Sequence, residues 1–147
     1  MKKILLICLA VILVISVVSC MSNAKKVLPL FVKFGMVTDI ESLGENAEAI
    51  VLSMQEPSSK GAKRDVYVAA VDYLFTYASK NLKELSVTAY NPDGKKIIAF
   101  TMPSYLITAL RETEANGNWG AEGFAASFYF NSDAYDVLVD SCVPYKK

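Results

Sequence analysis

The sequence predicts an α+β domain in which helices pack on a mainly antiparallel sheet with a central β-hairpin. The hairpin is indicated by two apolar segments, 85–91 and 96–102, that flank the turn residues Pro92-Asp93-Gly94. Apolar residues recur at helical spacing on both sides of it, at 39–55, at 65–81 and after Ser104. A domain that mixes helices with a hairpin in this order is typical of the α+β class.

The first apolar segment after Cys20 is 27–34. Leu30, Val32 and Phe34 alternate with other residues, which favours a first strand, although a short helix would also fit. A second interpretation places this segment in the headgroup region of a membrane. Both interpretations remain open from the sequence.

The next segment is predicted to be a helix over 39–55. Thr38 and Glu41 have the spacing of a capping box, and apolar residues follow at helical intervals despite Gly44. An alternative makes 48–54 a strand. Turn-forming residues from Pro57 to Gly61 then separate this segment from a second predicted helix at about 65–81.

The turn sets the register that we expect for the hairpin. If Asn91 lies opposite Lys95, one face carries Val87, Ala89, Ile97 and Ala99. The other face then carries Thr88, Tyr90, Ile98 and Phe100. Because both faces are partly apolar, we expect helices to cover at least one of them.

Pro103 and Ser104 begin a third predicted helix, which ends at Asn116-Gly117. After a glycine-rich loop that reaches Gly123, every second residue from Phe124 to Phe130 is apolar, which predicts a strand. The last segment, 132–142, fits a helix that begins at Ser132, but Tyr135 to Val139 also fits a strand.

The predicted order after residue 38 is therefore α-α-β-β-α-β and one undecided element. The portion 65–130, with the Pro92-Asp93-Gly94 turn, is similar to the roadblock and profilin-like group in element order. That resemblance implies no ligand. A ferredoxin-like sheet is the alternative, and it requires 48–54 to be a strand.

The N-terminus has the layout of an export signal: Lys2 and Lys3 precede an apolar segment from Ile4 to Ser19. Its end, Val17-Val18-Ser19-Cys20, resembles the lipobox of bacterial lipoproteins. The resemblance implies cleavage before Cys20, a diacylglyceryl thioether on its thiol and acylation, as with palmitate, of the new amino group. We therefore expect a signal peptide at 1–19, lipid attachment and an apolar tether at 20–37, and one domain at 38–147.

The same apolar segment also fits an uncleaved transmembrane helix, since residues 4–21 come close to the ~20 residues that span a bilayer. In either case we expect the protein to stay at a membrane of the cell envelope. Met21 follows Cys20, and the lipoprotein resemblance then favours delivery to an outer membrane where the cell has one.

The amino-acid composition disfavours nucleic acid as a partner and several kinds of catalytic and metal site. From Cys20 onward the chain has 13 basic and 15 acidic residues, so its net charge of −2 provides no strong field for nucleic acid. The chain contains no histidine, which disfavours hydrolases that use a histidine base and most zinc sites. We expect no metal and no cofactor. With Cys8 in the signal and Cys20 lipidated, Cys142 is left without an intramolecular partner.

The candidate binding residues lie in the glycine-rich loop. Trp119 is the only tryptophan, and this loop could present it to a ligand together with the carboxylate Glu122. The alternative is that Trp119 folds back onto the core. Three aspartates, Asp133, Asp136 and Asp140, share one helix face, but they lack the loop pattern of a calcium site and are better explained as a solvated face.

These observations lead to an expected function: a lipid-anchored envelope protein, not an enzyme, that binds a partner protein or a small ligand. The alternative expectation is a small-ligand sensor or an enzyme that uses the Trp119 loop, held by an uncleaved N-terminal helix. A third is a structural subunit whose interface is the apolar segment 27–34.

Overall fold

The computed structural model of this chain describes residues 30–55 and 62–145. The predicted signal peptide, the lipobox residues Val17, Val18 and Ser19, and Cys20 lie outside these ranges. The strands are β1 (Leu30–Val32), β2 (Gly35–Gly44), β3 (Ala47–Met54), β4 (Glu84–Tyr90), β5 (Lys96–Met102) and β6 (Val143–Pro144). The helices are α1 (Ala62–Thr76), α2 (Ser104–Ala115), α3 (Gly120–Phe130) and α4 (Ser132–Ser141).

The six described strands form one mixed sheet in the order β1-β2-β3-β4-β5-β6, so each strand lies beside its neighbours in sequence. All neighbouring pairs are antiparallel except β3 and β4, which are parallel. Parallel neighbours need a long crossover, and α1 lies in the connection between these two. The predicted α+β class with a mostly antiparallel sheet is confirmed.

Helix α1 is the centre of the core. Nine consecutive residues, Val66–Leu74, are buried, because α1 packs against the sheet and also against α3. A helix covered on opposite sides has no solvated face along this stretch, so its apolar residues extend around the helix. α2 and α4 complete the helical layer through Ile107 and Leu138, each 1% exposed.

The two faces of the sheet differ in side-chain size and polarity. Toward the helices point large residues that are almost fully buried, such as Leu52 and Leu85, each 0% exposed. Toward the other face point smaller and more polar residues, including Ser86 and Thr101, whose hydroxyl groups are 2.9 Å apart and hydrogen-bonded. The helix-covered face therefore contributes most of the buried apolar area.

The helix predicted over 39–55 is wrong: this segment forms most of β2 together with β3. Ile50, Leu52 and Met54 are buried at every second position, and that alternation belongs to a strand. A tight turn joins the two strands, with Gly44 at φ +137° and Asn46 at φ +64°. The alternative that made 48–54 a strand was correct. In contrast to a split βαβ unit, however, β3 and β4 are direct neighbours.

The predicted register of the second hairpin is wrong beyond its turn. Asn91 does lie opposite Lys95, and its backbone N–H donates to the Lys95 carbonyl oxygen over 2.9 Å. The register then shifts, since Tyr90 pairs with Lys96 but Ala89 pairs with Ile98. The extra residue, Ile97, forms a bulge that returns Ile98 and Phe100 to the face of Val87 and Ala89.

The strand predicted from Phe124 to Phe130 is also wrong, because this segment lies in helix α3. The undecided segment 132–142 forms helix α4 over Ser132–Ser141. The second and third predicted helices exist as α1 and α2, the latter ending before Asn116 as expected. The alternation at 30–34 predicted a strand, and β1 occupies Leu30–Val32. The expected start of the domain at residue 38 falls inside β2.

Candidate functional site

The candidate site is a groove of about 490 Å³ on the outer surface of the helical layer. Helices α2 and α4 form its walls and α3 forms its floor. Its apolar lining consists of Leu106, Ala109, Leu110, Trp119, Phe124, Phe128, Ala134, Val137 and Leu138. A concave, largely apolar surface of this volume is typical of ligand and peptide sites.

The two walls run antiparallel. The Tyr105 hydroxyl donates to the Ser141 carbonyl oxygen over 2.7 Å and so joins the start of α2 to the end of α4. At the other end, Thr113 of α2 and Asp133 of α4 line the groove. The groove therefore lies between two helices that run in opposite directions, and a hydrogen bond joins these helices at one end.

The polar groups on the walls and floor are mostly occupied by their own helices. Thr113 donates its hydroxyl hydrogen to the Ala109 carbonyl oxygen over 2.8 Å. Ser127 does the same with Phe124 over 2.6 Å. A hydroxyl that donates within its own helix presents less polarity to a ligand, so the apolar character of the groove is preserved.

Trp119 stands at the edge of the groove with 52% of its surface exposed. Its ring contacts Phe124 edge to face, with centroids 6.4 Å apart. Gly117 makes this position possible, because a Cβ at residue 117 would lie 1.6 Å from Trp119 Nε1. Gly120 enters α3 at φ +64°, a conformation that favours glycine. Trp119 thus neither folds into the core nor extends freely into solvent.

The start of α4 adds polar groups to the lining of the groove. Asn131 caps the helix, its Oδ1 accepting a hydrogen bond from the Ala134 backbone N–H over 3.0 Å. Asp133 lies in the first turn, where its charge complements the helix dipole. Both side chains also line the groove, so its lining includes an amide and a carboxylate as well as the indole ring of Trp119, which lies at the opposite end of α3.

Glu122, the other residue predicted for the binding loop, lies elsewhere. Its carboxylate forms an exposed ion pair with Lys33 at 3.0 Å and lines a shallow surface beside Phe31 and Tyr77. That surface does not include Trp119. The structure therefore places the two predicted loop residues on different surfaces, and the groove takes only Trp119 of the pair.

The remaining candidate residues, Cys142 and the three aspartates of α4, show no sign of a reactive or metal-binding site. Cys142 is half-buried at the C-terminal end of α4, and burial raises the pKa of its thiol to about 12. A thiol so protonated is a poor nucleophile. Asp133, Asp136 and Asp140 do not converge with other ligands, since no cluster of three or more metal-binding side chains exists among the residues that the structure describes. Cys20 lies outside those residues.

Most of the groove was missed by sequence reasoning. Its floor is α3, which the alternation of Phe124, Ala126, Phe128 and Phe130 predicted to be a strand. Phe124 and Phe128 are also four residues apart, the spacing of one helix face, and it is these two that line the groove. The capping residue Asn131, three residues before Ala134, was a further signal for α4.

None of the helices α1 to α4 is long and apolar enough to cross a membrane. No protein-family model, no curated protein and no solved structure matches this chain.

Proposed function

We propose that this protein is a lipid-anchored lipoprotein of the bacterial cell envelope that binds a partner protein or a small ligand in the groove between α2, α3 and α4. The observation that supports it is the groove itself: about 490 Å³ of mostly apolar space beside a half-exposed tryptophan. Burying such a surface on a ligand is favourable by roughly 25 cal/mol for each Å² of apolar area removed from water.

The lining supports binding rather than catalysis. Asp133 is the ionisable side chain among the described residues that line the groove, and it is exposed. Catalytic acids and bases normally act in sets whose environments perturb their protonation. The alternative function, a sensor or enzyme that uses Trp119 with Glu122, is less well supported because Glu122 lies with Lys33 outside the groove.

The anchor is proposed from the resemblance of Val17-Val18-Ser19-Cys20 to a lipobox. A lipid on Cys20 would hold the domain at the membrane surface, with an outer membrane favoured where one exists. Several acyl chains give stable anchoring, since one chain alone binds a bilayer only marginally. An uncleaved transmembrane helix over 4–21 remains the alternative anchor.

The intact mass of the protein extracted from membranes tests the anchor. We expect a chain that begins at Cys20 and carries added acyl mass, and we expect that mass to be absent from the Cys20→Ala variant. A mass equal to the complete unmodified sequence would instead support the transmembrane alternative.

Site-specific photo-crosslinking in the producing cells tests the groove. A photoreactive amino acid replaces Val137, which lines the groove and is 65% exposed. The matched control carries the same amino acid at Glu41, which is exposed on the opposite side of the sheet. We expect a discrete adduct from position 137 and none from position 41. Equal patterns from the two positions would count against the groove as the binding site.

A further inference from the structure

We infer that the groove binds a cationic amphipathic segment of a partner protein, whose apolar side chains enter the groove while its lysines and arginines lie over the acidic walls. This inference rests on the proposed function and names the chemistry of the partner. It is carried by the charge of the helical layer, by the position of that charge around the groove, and by the length of the two walls.

The segment that forms the groove, residues 104–141, is acidic. It contains one arginine and six carboxylates, a net charge of −5, although the chain from Cys20 onward has a net charge of only −2. One of the six, Glu122, is paired with Lys33 outside the groove, which leaves five carboxylates on α2 and α4. On α1, Arg64 lies over the ring of Tyr135 of α4, 4.3 Å from its centroid. Arg111, the one cation within residues 104–141, donates to the carbonyl oxygens of Ser79, Lys80 and Leu82 at 2.7, 2.5 and 3.0 Å. Its charge is thus directed at the loop after α1 and away from the groove.

The carboxylates lie along the walls. On α4, Asp133 lines the groove, and Asp136 and Asp140 follow it at intervals of three and four residues, so that the three form one exposed stripe. On α2, Glu112 is exposed one turn after the groove residue Ala109. Negative charge on both walls produces a field that attracts cationic ligands and repels anionic ones.

This charge pattern selects among occupants of an apolar groove. An anionic lipid surface would be repelled by the walls, and an uncharged alkyl chain would gain nothing from them. A second copy of the chain would bring a second acidic helical layer to the interface, a like-charge contact that is unfavourable. A helix with one apolar face and a basic border matches both the groove and its walls.

The dimensions of the walls agree with a short helix. α2 has twelve residues and α4 has ten, which correspond to about 18 Å and 15 Å of helix. A helix of about three turns would span this length and present apolar side chains at positions i, i+3, i+4 and i+7. Trp119 at one end is placed to contact the last of them.

The test uses Trp119 as the reporter, since it is the only tryptophan in the chain. The full-length protein is reconstituted into phosphatidylcholine vesicles and titrated with tryptophan-free peptides of about 14 residues, roughly 21 Å as helices. Three peptides share one leucine face and differ only in their polar face, which carries lysine, glutamine or glutamate. Vesicles without protein provide the background.

We expect the lysine peptide to shift Trp119 emission to shorter wavelength and to bind about tenfold more tightly than the glutamine peptide, with the glutamate peptide weaker still. High salt should remove most of this difference, because the Debye length falls to about 3 Å at 1 M.

Two double variants provide the matched comparison. Asp136→Asn with Asp140→Asn removes two charges from the groove wall, and Asp39→Asn with Glu41→Gln removes two from the opposite side of the sheet. We expect the first pair to weaken binding of the lysine peptide about threefold to tenfold and the second to change it by less than about twofold. The α4 substitutions should leave the fold intact, since Asp140 lies near the C-terminal end of the helix dipole, where a negative charge is unfavourable.

The outcomes separate the two proposals. Equal affinity for the three peptides would overturn the cationic partner and leave the groove as a binding site for apolar ligands. The same conclusion would follow if both double variants had equal effects. No response of Trp119 to any peptide would contradict both the cationic partner and the groove as a peptide site.

Discussion

Replacing Arg111 tests the contact that holds α2, one of the two walls of the groove, to the rest of the domain. Its guanidinium extends from α2 to the loop between α1 and β4 and donates to three backbone carbonyl oxygens, those of Ser79, Lys80 and Leu82. Burial lowers the pKa of Arg111, but a guanidinium remains charged throughout the accessible pH range. No other residue type can make all three hydrogen bonds from one planar group.

The expected cost follows from the exposure of the three acceptors. Hydrogen bonds from a charged donor contribute about 1.5–3 kcal/mol each when their acceptors are buried. Of the three acceptors, the carbonyl oxygen of Leu82 belongs to a residue that is only 2% exposed. The carbonyl oxygens of Ser79 and Lys80 lie in the solvated part of the loop, where water can replace the guanidinium. Arg111→Met should therefore lower the free energy of unfolding by about 2–3 kcal/mol, and Arg111→Lys by about half as much.

Thermal unfolding followed by circular dichroism measures this cost in the detergent-solubilised full-length protein. For a domain of this size we expect Arg111→Met to lower Tm by about 10 °C. Lys83→Met is the matched control, since Lys83 is an exposed cation in the same loop, and its change should stay within about 0.5 kcal/mol. If Arg111→Met and Lys83→Met had the same small effect, the guanidinium would not be a structural clamp.

Three further predictions concern the thiol, the buried tyrosine and the tryptophan loop. Because burial raises the pKa of Cys142 from 9.0 to about 12, iodoacetamide at pH 8 should label its thiol about a thousandfold more slowly in the folded than in the unfolded chain. Peptide mass mapping measures the two labelling rates, and equal rates would refute this. Burial first, and then the charges of Cys142 and Tyr135, raise the pKa of Tyr67 from 10.0 to about 12. The stability that its neutral form contributes is therefore complete below pH 10 and is lost as the pH rises toward 12. Tyr67→Phe should make the decline of Tm between pH 10 and 12 less steep, and the same decline in the variant and the wild type would contradict this. Gly117→Ala should displace the Trp119 ring, because a Cβ at residue 117 would overlap it. The fluorescence emission of Trp119 should then shift to longer wavelength with little change in Tm. An unchanged spectrum would show that the position of the ring does not depend on Gly117.

The elements that sequence reasoning identified are those whose local signals had one interpretation. Pro92-Asp93-Gly94 allows little besides a turn, and Gly94 at φ +75° confirms the conformation that glycine was expected to supply. Pro103 and Asn116 similarly bound α2. At these positions the backbone chemistry of one or two residues decides the structure, and no distant contact is needed.

The elements that were missed have two interpretations at the level of spacing. Ile40, Leu43 and Ala47 fit a helix, but tertiary burial of β3 and the left-handed residues at Gly44 and Asn46 favour a hairpin. The alternating phenylalanines of α3 fit a strand and a helix equally well. Contact with α1 resolves the choice, because a helix buries Phe124 and Phe128 together on one side.

The bulge at Ile97 shows why register was the least predictable feature. The turn correctly placed Asn91 opposite Lys95, yet one extra residue reversed the faces of Ile98 and Phe100. The shift lets Phe100 stack on Tyr67 of α1, with ring centroids 4.2 Å apart. A contact between residues so far apart in sequence leaves no local signal in the turn.

The candidate site was predictable in part. Trp119 was identified because a lone tryptophan in a glycine-rich loop is unusual, and it stands at the groove. Glu122 was grouped with it only through proximity in sequence. Trp119 lies before the first residue of α3, and Gly120 at φ +64° changes the chain direction between Trp119 and Glu122, so helical spacing does not relate the two side chains. Glu122 contacts Lys33 instead. The groove itself depends on how α2 and α4 pack across α3, which no local pattern describes.

The central claim, that the groove is where this protein binds its partner, is tested most directly by filling it. Ala109 lines the groove and is exposed, so Ala109→Phe should occupy the space without disturbing the core; Ala115→Phe, at the exposed end of the same helix, is the control. With the photoreactive amino acid at position 137, we expect Ala109→Phe to abolish the cross-linked adduct and Ala115→Phe to retain it. An adduct that persists at full yield in Ala109→Phe would contradict the account.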